Sequence, residues 1–409
     1  MNLAAEVAAA LDGFHDQAPL ERLGLAVSGG GDSVAMLHLA LPWAARRGVR
    51  LAAATVDHGL RPGSAGEAER VATVCADLGL AHTTLHWSWD RRGNLQEAAR
   101  LGRRRLLAEW ARREGLSAVA MGHTRDDQAE TVLLRLMRGS GVDGLSAMEV
   151  DRRDEVRWLR PLLGVRREAL RQWLRDAGLN WAEDPSNADR RFRRVRVRQA
   201  MEALELDQDR LAETAARMRM ARAALESLAE EAARACVAVE SGDLLIFLGR
   251  FDTWPEETRL RLFAEGLRWI SGAPYRPRLN ALRAALDEAR RVPRTLHGVL
   301  VSPERGRLRL TREARAVTEA RAAPGEPWDG RWIVEGPARP GDEVRMLGEA
   351  GLIQRGVVRL ALPRASLAAS PAVWRGGELR AAPLAGFGQG WTVRLADRRD
   401  VFTLSGGTR

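Results

Sequence analysis

The sequence predicts an α/β protein: a parallel sheet wrapped by helices, then a helical linker, a small mixed α+β domain and a β-rich terminal domain. Three observations carry this expectation. Apolar strand-like runs alternate with amphipathic helical patterns over the first 140 residues, the mark of a parallel sheet covered on both faces. A long Ala/Arg/Glu stretch over 207–238 breaks the alternation and reads as a connector helix. Beyond 326 the composition shifts to Gly, Pro and Trp with short strand-like runs. The expected domains are 1–205, 206–325 and 326–409, the middle one including the connector.

Taken in order, Met1 to Phe14 reads as an acid-containing amphipathic helix, without the basic start and unbroken apolar core of a signal peptide. Strands are expected near 23–27, 50–56, 82–87 and 117–122, and helices near 33–47, 65–79, 94–114 and 126–138. Residues 166–200 read as helical and increasingly basic. Residues 242–325 hold a strand at Leu244–Leu248, two helices and a hairpin around Glu304-Arg305-Gly306. The last residues, from Leu404, should fray. Ligands of open parallel sheets lie beyond the carboxyl ends of the strands. Three polar turns fall there and should share one cleft: the loop at Ser28, Asp57-His58-Gly59-Leu60-Arg61, and Gly122-His123-Thr124.

Composition narrows the class. A chain of 409 residues, 45% of them hydrophobic, has room for two or three cored domains. No run of about 18 uninterrupted apolar residues occurs, which argues against a membrane span. Cys75 and Cys236 are the only cysteines, too few for a disulfide framework or an all-cysteine metal site, and the cytoplasm is the expected compartment. The formal net charge of +10 suggests an acidic partner, nucleic acid first. The chain has no lysine: all 64 Lys-plus-Arg residues are arginine. Histidine aside, any basic side chain that meets a phosphate here is therefore a guanidinium able to bond it bidentately.

Three motifs carry the chemistry. The first is Ser28-Gly29-Gly30-Gly31-Asp32-Ser33, set between a strand and a helix. Glycines let backbone N–H groups close around a phosphate, the helix N-terminus adds partial positive charge, Ser28 and Ser33 offer hydroxyls, and Asp32 can hold a divalent cation. The spacing is neither that of a P-loop nor that of a dinucleotide fingerprint. The second is Gly122-His123-Thr124-Arg125-Asp126-Asp127-Gln128-Ala129-Glu130-Thr131. It follows the fourth strand and opens a helix, so His123, Asp127 and Glu130, at i, i+4 and i+7, project from one helical face, where they could bind Mg²⁺, hold a cationic substrate or take a proton. Asp126 could equally serve as an acidic residue on the helix dipole. The third is Asp184-Pro185-Ser186-Asn187 followed by Arg190–Arg198, in which six of nine residues are arginine. One-signed charge at this density has no partner in its own helix and favours a phosphate backbone.

The first loop resembles the signature of the PP-loop ATP pyrophosphatases, which split ATP between the α and β phosphates and adenylate a substrate oxygen. With the second motif the resemblance narrows to the tRNA(Ile)-lysidine synthetases and their relatives, the tRNA thiolation enzymes. Asp57–Arg61, Arg138-Gly139-Ser140-Gly141 with Gly144-Leu145, and Arg160-Pro161-Leu162-Leu163 resemble further family elements. So do Ala99-Arg100 with Arg104, where Arg105 stands in place of a usual tyrosine. In the third motif Val195 replaces a usual asparagine. The tail from Pro363 through Trp374 to Leu384 resembles the family's C-terminal domain.

The resemblance implies a Rossmann-like PP-loop domain. It also implies ligation of free L-lysine to C2 of the wobble cytidine of a tRNA(Ile) with a CAU anticodon, through an adenylated cytidine, with ATP and Mg²⁺ required. The expected site has Asp32, Asp127, Glu130 and His123 in catalysis, Ser28 to Ser33 (including Gly29, Gly30 and Gly31) on ATP, and Asp32 with Asp127 on the metal. Arg61, Arg100, Arg104, Arg191, Arg194, Arg196 and Arg198 are expected on tRNA or substrate. A tRNA thiolase is the alternative, and an RNA-binding protein with an inactive loop a third reading. No membrane and no protein partner is expected, save a possible second copy of the chain.

Overall fold

The computed structural model describes residues 2–59, 63–89, 95–183, 191, 193–356, 361–396 and 402–404. The chain divides into two units, Met1–Arg222 and Ala223–Arg409.

In the first unit α1 (Leu3–Gln17) leads into β1 (Arg22–Ala26), α2 (Gly31–Arg47), β2 (Arg50–Asp57), α3 (Ser64–Asp77), β3 (Ala81–His86), α4 (Leu95–Arg113), β4 (Ala118–Met121) and α5 (Arg125–Leu136). The expected alternation holds to within about two residues at most ends. Then follow α6 (Val142–Leu145), β5 (Asp151–Arg153), β6 (Arg157–Leu159), α7 (Arg167–Asp176), α8 (Arg193–Ala203) and the long α9 (Gln208–Cys236), which crosses into the second unit.

The sheet order is β3-β2-β1-β4-β6-β5. β1, β2, β3, β4 and β6 run parallel, and β5 is an antiparallel edge. The sequence pattern predicts neither β5 nor β6. Each is three residues long, too short to leave a periodic signal.

Alternation along β1 sorts the core. Leu23 and Leu25 face a cluster with Val7, Leu11, Met36 and Trp43, under α1 and α2. Ala26 belongs to the opposite cluster, with Leu107, Trp110 and Trp158. Small residues at Ala52, Ala53 and Ala54 of β2 let helices sit close on both faces. The carboxyl ends of β1, β2 and β4 are thereby brought side by side, since Ala26 pairs with both Ala54 and Met121.

In the second unit β7 (Val237–Glu240) and β8 (Asp243–Phe247) precede α10 (Leu248–Phe251), α11 (Glu256–Ser271) and α12 (Leu279–Ala289). β9 (Arg294–Leu296), β10 (Val299–Glu304) and β11 (Arg307–Arg312) complete an antiparallel sheet of order β7-β8-β11-β10-β9. The expected hairpin turns at Arg305-Gly306, where Gly306 takes φ +75°. After it come β12 (Trp332–Glu335), β13 (Asp342–Met346), α13 (Gly348–Arg355), α14 (Arg364–Ala368), β14 (Pro371–Arg375), β15 (Glu378–Ala381) and β16 (Thr392–Leu395). These short strands form β12-β16 and β13-β14-β15 sheets around Trp328, Trp332, Trp374 and Trp391. Among the described residues no helix is long and apolar enough to cross a membrane.

Candidate active site

The loop after β1 is shaped by its own small residues. Gly29 takes φ +86°, a region costly for any residue with a Cβ. Gly30 caps α2 without a side chain, so the first-turn amides are not covered by a capping group. The Ser33 hydroxyl, expected to face phosphate, donates to the Gly30 carbonyl at 2.9 Å and accepts the Ser28 N–H at 3.1 Å. It therefore braces the loop from within. The Ser28 hydroxyl lies 3.2 Å from it. The Ala182 N–H donates to the Gly29 carbonyl at 2.9 Å, pinning the loop from the chain that follows α7.

The second motif approaches from β4. Gly122 lies so close to the first turn of α2 that a Cβ there would stand 3.1 Å from the Ser33 Cα. Thr124 caps α5 in a capping box with Asp127. The Thr124 N–H and hydroxyl donate to Asp127 Oδ2 at 2.9 and 3.0 Å. His123 thus precedes the helix, which corrects the expectation of one helical face carrying all three residues. Its Nδ1 is buried with no partner, and burial pushes the imidazole well below its usual range.

One arginine joins the two motifs. Arg167, the first residue of α7, donates through Nε to Asp32 Oδ2 at 2.9 Å and through Nη2 to Asp127 Oδ1 at 3.0 Å. Its Nη1 lies 3.5 Å from Glu130 Oε1, and its backbone N–H donates to Asp126 Oδ2 at 2.8 Å. Asp126 therefore anchors α7. Burial raises the Asp32 carboxyl above its ordinary value despite Arg167. Burial would raise Asp127 too, but Arg167 and the Thr124 N–H outweigh it and hold Asp127 low. Two carboxylates on one guanidinium are thus pushed in opposite directions.

The arginine strip splits into two faces. Val195 and Val197 are buried, and Val197 packs with Met201 and Ala129 of α5. That turns Arg194 and Arg198, one helical turn apart, toward the site. Arg198 donates to Glu130 Oε1, and Arg194 lies 4.0 Å from Asp127. The strip is not neutralised within its own helix, as expected; two of its arginines instead face the carboxylates of α5. Arg193 and Arg196 are exposed, and Arg196 donates to the Arg191 carbonyl at 3.2 Å.

The residues converge on a cavity of about 2160 Å³, lined among others by Ser28, Asp32, Asp127, Glu130, Arg167 and Arg198. A single drug-sized ligand needs roughly 300–1,000 Å³, so the space suits more than one substrate. Residues 3–204 match the PP-loop domain family. The tRNA(Ile)-lysidine synthase of Ruegeria pomeroyi is 46% identical over 394 residues, spanning 95% of this chain and 94% of that protein. The chain belongs to the tRNA(Ile)-lysidine synthase family. The Bradyrhizobium sp. synthase is 43% identical, covering 74% of this chain and 88% of its own length. The synthase of Wolbachia pipientis wMel is 36% identical, covering 76% of each. The thiolase alternative loses its ground against these relatives.

Measured against the family's expected sites, some arginines move. Arg104 turns away, pairing with Asp154 and lying 5.4 Å over the Trp158 ring. Arg100 is exposed and does not line the cavity. Arg103 does, and burial together with nearby Arg194 lowers its pKa. The sequence reading missed it, although Ala99, Arg103 and Leu107 repeat at helical spacing and all line the cavity. Arg191 also lines the cavity. Arg61 and Asp184–Asn187 lie outside the described residues. His58 lines the cavity with its ring centroid 5.7 Å from that of Trp87.

Among the described residues no group of three or more His, Cys, Asp or Glu is arranged for a metal ion. Asp32 and Asp127 nevertheless present one oxygen each to the same guanidinium, which places both within reach of a single cation. That donor set suits Mg²⁺, which takes one or two carboxylates and completes its shell with phosphate and water.

Proposed function

We propose that this chain ligates free L-lysine to C2 of the wobble cytidine of tRNA(Ile) with a CAU anticodon, converting ATP to AMP and pyrophosphate. The observation that carries the reading is the Arg167 bridge. It ties Asp32 of the glycine loop to Asp127 of the second motif, so a phosphate cradle and an acidic pair face one cavity. Family membership over nearly the whole chain supplies the substrate class.

The chemistry runs in two steps. The cytidine C2 oxygen attacks the α-phosphorus and pyrophosphate leaves. The lysine ε-amine then attacks C2, and AMP departs with the oxygen. Mg²⁺ held by Asp32 and Asp127 would neutralise triphosphate charge. The loop amides and the start of α2 receive the phosphates. Glu130 is buried, with Oε1 held by Arg198 and Oε2 without a partner, which suits it to hold the lysine ammonium and take its proton. His123 sits in too dry a place to hold a charge readily, so it is the weaker proton acceptor. Exposed Arg193 and Arg196 face outward for the tRNA backbone, and a splayed anticodon base reaches the cavity at low cost.

The test is incorporation of labelled lysine into a tRNA(Ile) transcript with ATP and Mg²⁺. Incorporation should track AMP release and require the CAU anticodon, and folded Asp127→Ala should lose at least about 100-fold. No incorporation by the intact chain would sink the reading.

A further inference from the structure

Every nitrogen of the Arg167 guanidinium faces a carboxylate: Nε meets Asp32, Nη2 meets Asp127 and Nη1 faces Glu130. Its main chain is fixed, because its N–H is bound by Asp126 and the helix behind it buries Leu170 and Leu174 in the core. The side chain is the movable part, and it lies on the cavity wall. The oxygens it holds, Asp32 Oδ2 and Asp127 Oδ1, are those that suit a divalent cation. A guanidinium and a metal ion compete for the same lone pairs, so occupation by one displaces the other.

A displaced guanidinium needs another anion. The start of α2, whose residue Asp32 already holds Arg167, offers amides with no side-chain cap to an anion. A planar fork matches a phosphate bidentately. The chain has no lysine to share that work, and of the arginines that line the cavity Arg167 is bonded to Asp32 at the start of α2.

We propose that Arg167 is a positioning residue that exchanges partners. It holds Asp32, Asp127 and Glu130 together, yields the two aspartates to the divalent cation when the triphosphate arrives, and then bonds the phosphates itself. The inference rests on the function proposed above and adds to it an order of events. Without a triphosphate the guanidinium keeps a free divalent cation out, so metal and nucleotide enter as one.

The experiment titrates Mn²⁺ alone into the nucleotide-free chain, comparing wild type with Arg167→Gln by water-proton relaxation. Removing the competitor should tighten Mn²⁺ about tenfold or more, while the KM for ATP rises by a similar factor. An Mn²⁺ affinity that is unchanged or weaker in the folded variant overturns the proposal. Should Arg167→Gln not fold, Arg167→Lys replaces it, because one ammonium cannot span both aspartates. Mn²⁺ should then tighten at least about threefold, and no gain overturns the proposal. Lysine incorporation by the wild type is read separately. A chain that makes lysidine but shows no Mn²⁺ gain loses only the Arg167 proposal; one that makes none loses the functional reading.

Discussion

Each unit of the molecule contains one arginine set among three carboxylates, and the two sets differ in a telling way. In the second unit Arg309 donates to Asp243 at 3.0 Å, to Glu304 at 2.5 Å and to Glu240. Ser366 adds a hydroxyl to Asp243 at 2.5 Å, and Thr311 lies 3.3 Å from that hydroxyl. The Arg309 side chain is 4% exposed, and no buried side-chain atom of Arg309, Asp243, Glu240 or Glu304 lacks a partner. The Arg167 side chain is 17% exposed, and beside it Glu130 Oε2 and His123 Nδ1 are buried without partners. Equal ionic composition thus makes a strut where no buried atom is left without a partner, and a working site where unpartnered buried atoms lie beside a cavity.

Removing each arginine is the strongest way to break this comparison. Arg309→Leu leaves buried Asp243 without its counter-charge and should cost about 3–5 kcal/mol in urea unfolding. Arg167→Leu should cost less than about 2 kcal/mol, because water in the cavity can solvate what remains. Equal losses would erase the distinction.

The arginines of α8 sharpen it. Arg198→Gln should lower lysidine formation by about 100-fold at saturating tRNA, since Arg198 holds the carboxylate proposed to receive the amine. Arg196→Gln should instead weaken tRNA binding and reduce the slope of log K against log salt by about one. A reversed pattern would exchange the roles of the two faces.

The smallest effect concerns acid. Burial would raise Glu304, but hydrogen bonds from Arg309 and Arg307 prevail and hold it below 4.5. A depressed folded pKa gives stability that is full above the unfolded value and lost as pH falls through the folded one. Below about pH 4.5 the wild type should therefore lose up to about 1 kcal/mol that Glu304→Gln does not lose, as read by urea midpoints across pH 3 to 7.

These contrasts also show what could be read in advance. The glycine loop, the capping box residue Asp127 and the helical spacing of the first unit are local, and local patterns are legible. The edge strands β5 and β6 are too short to carry a period. Arg104 looked like a site residue until Asp154 and Trp158, distant in sequence, claimed it. Arg103 shares a helical period with Ala99 and Leu107, which line the cavity with it. Arg167 has no such local signal, because its role comes from α7 docking on Asp126, a contact 41 residues apart.

Gly122 has a wider consequence. Because a Cβ at 122 would stand only 3.1 Å from the Ser33 Cα, main chain rests against main chain where the two motifs meet. The reach from phosphate cradle to acidic pair is therefore set by backbone contact, with no side chain between the two to take up slack. Alanine at 122 would have to push the two half-sites apart by a few tenths of an ångström.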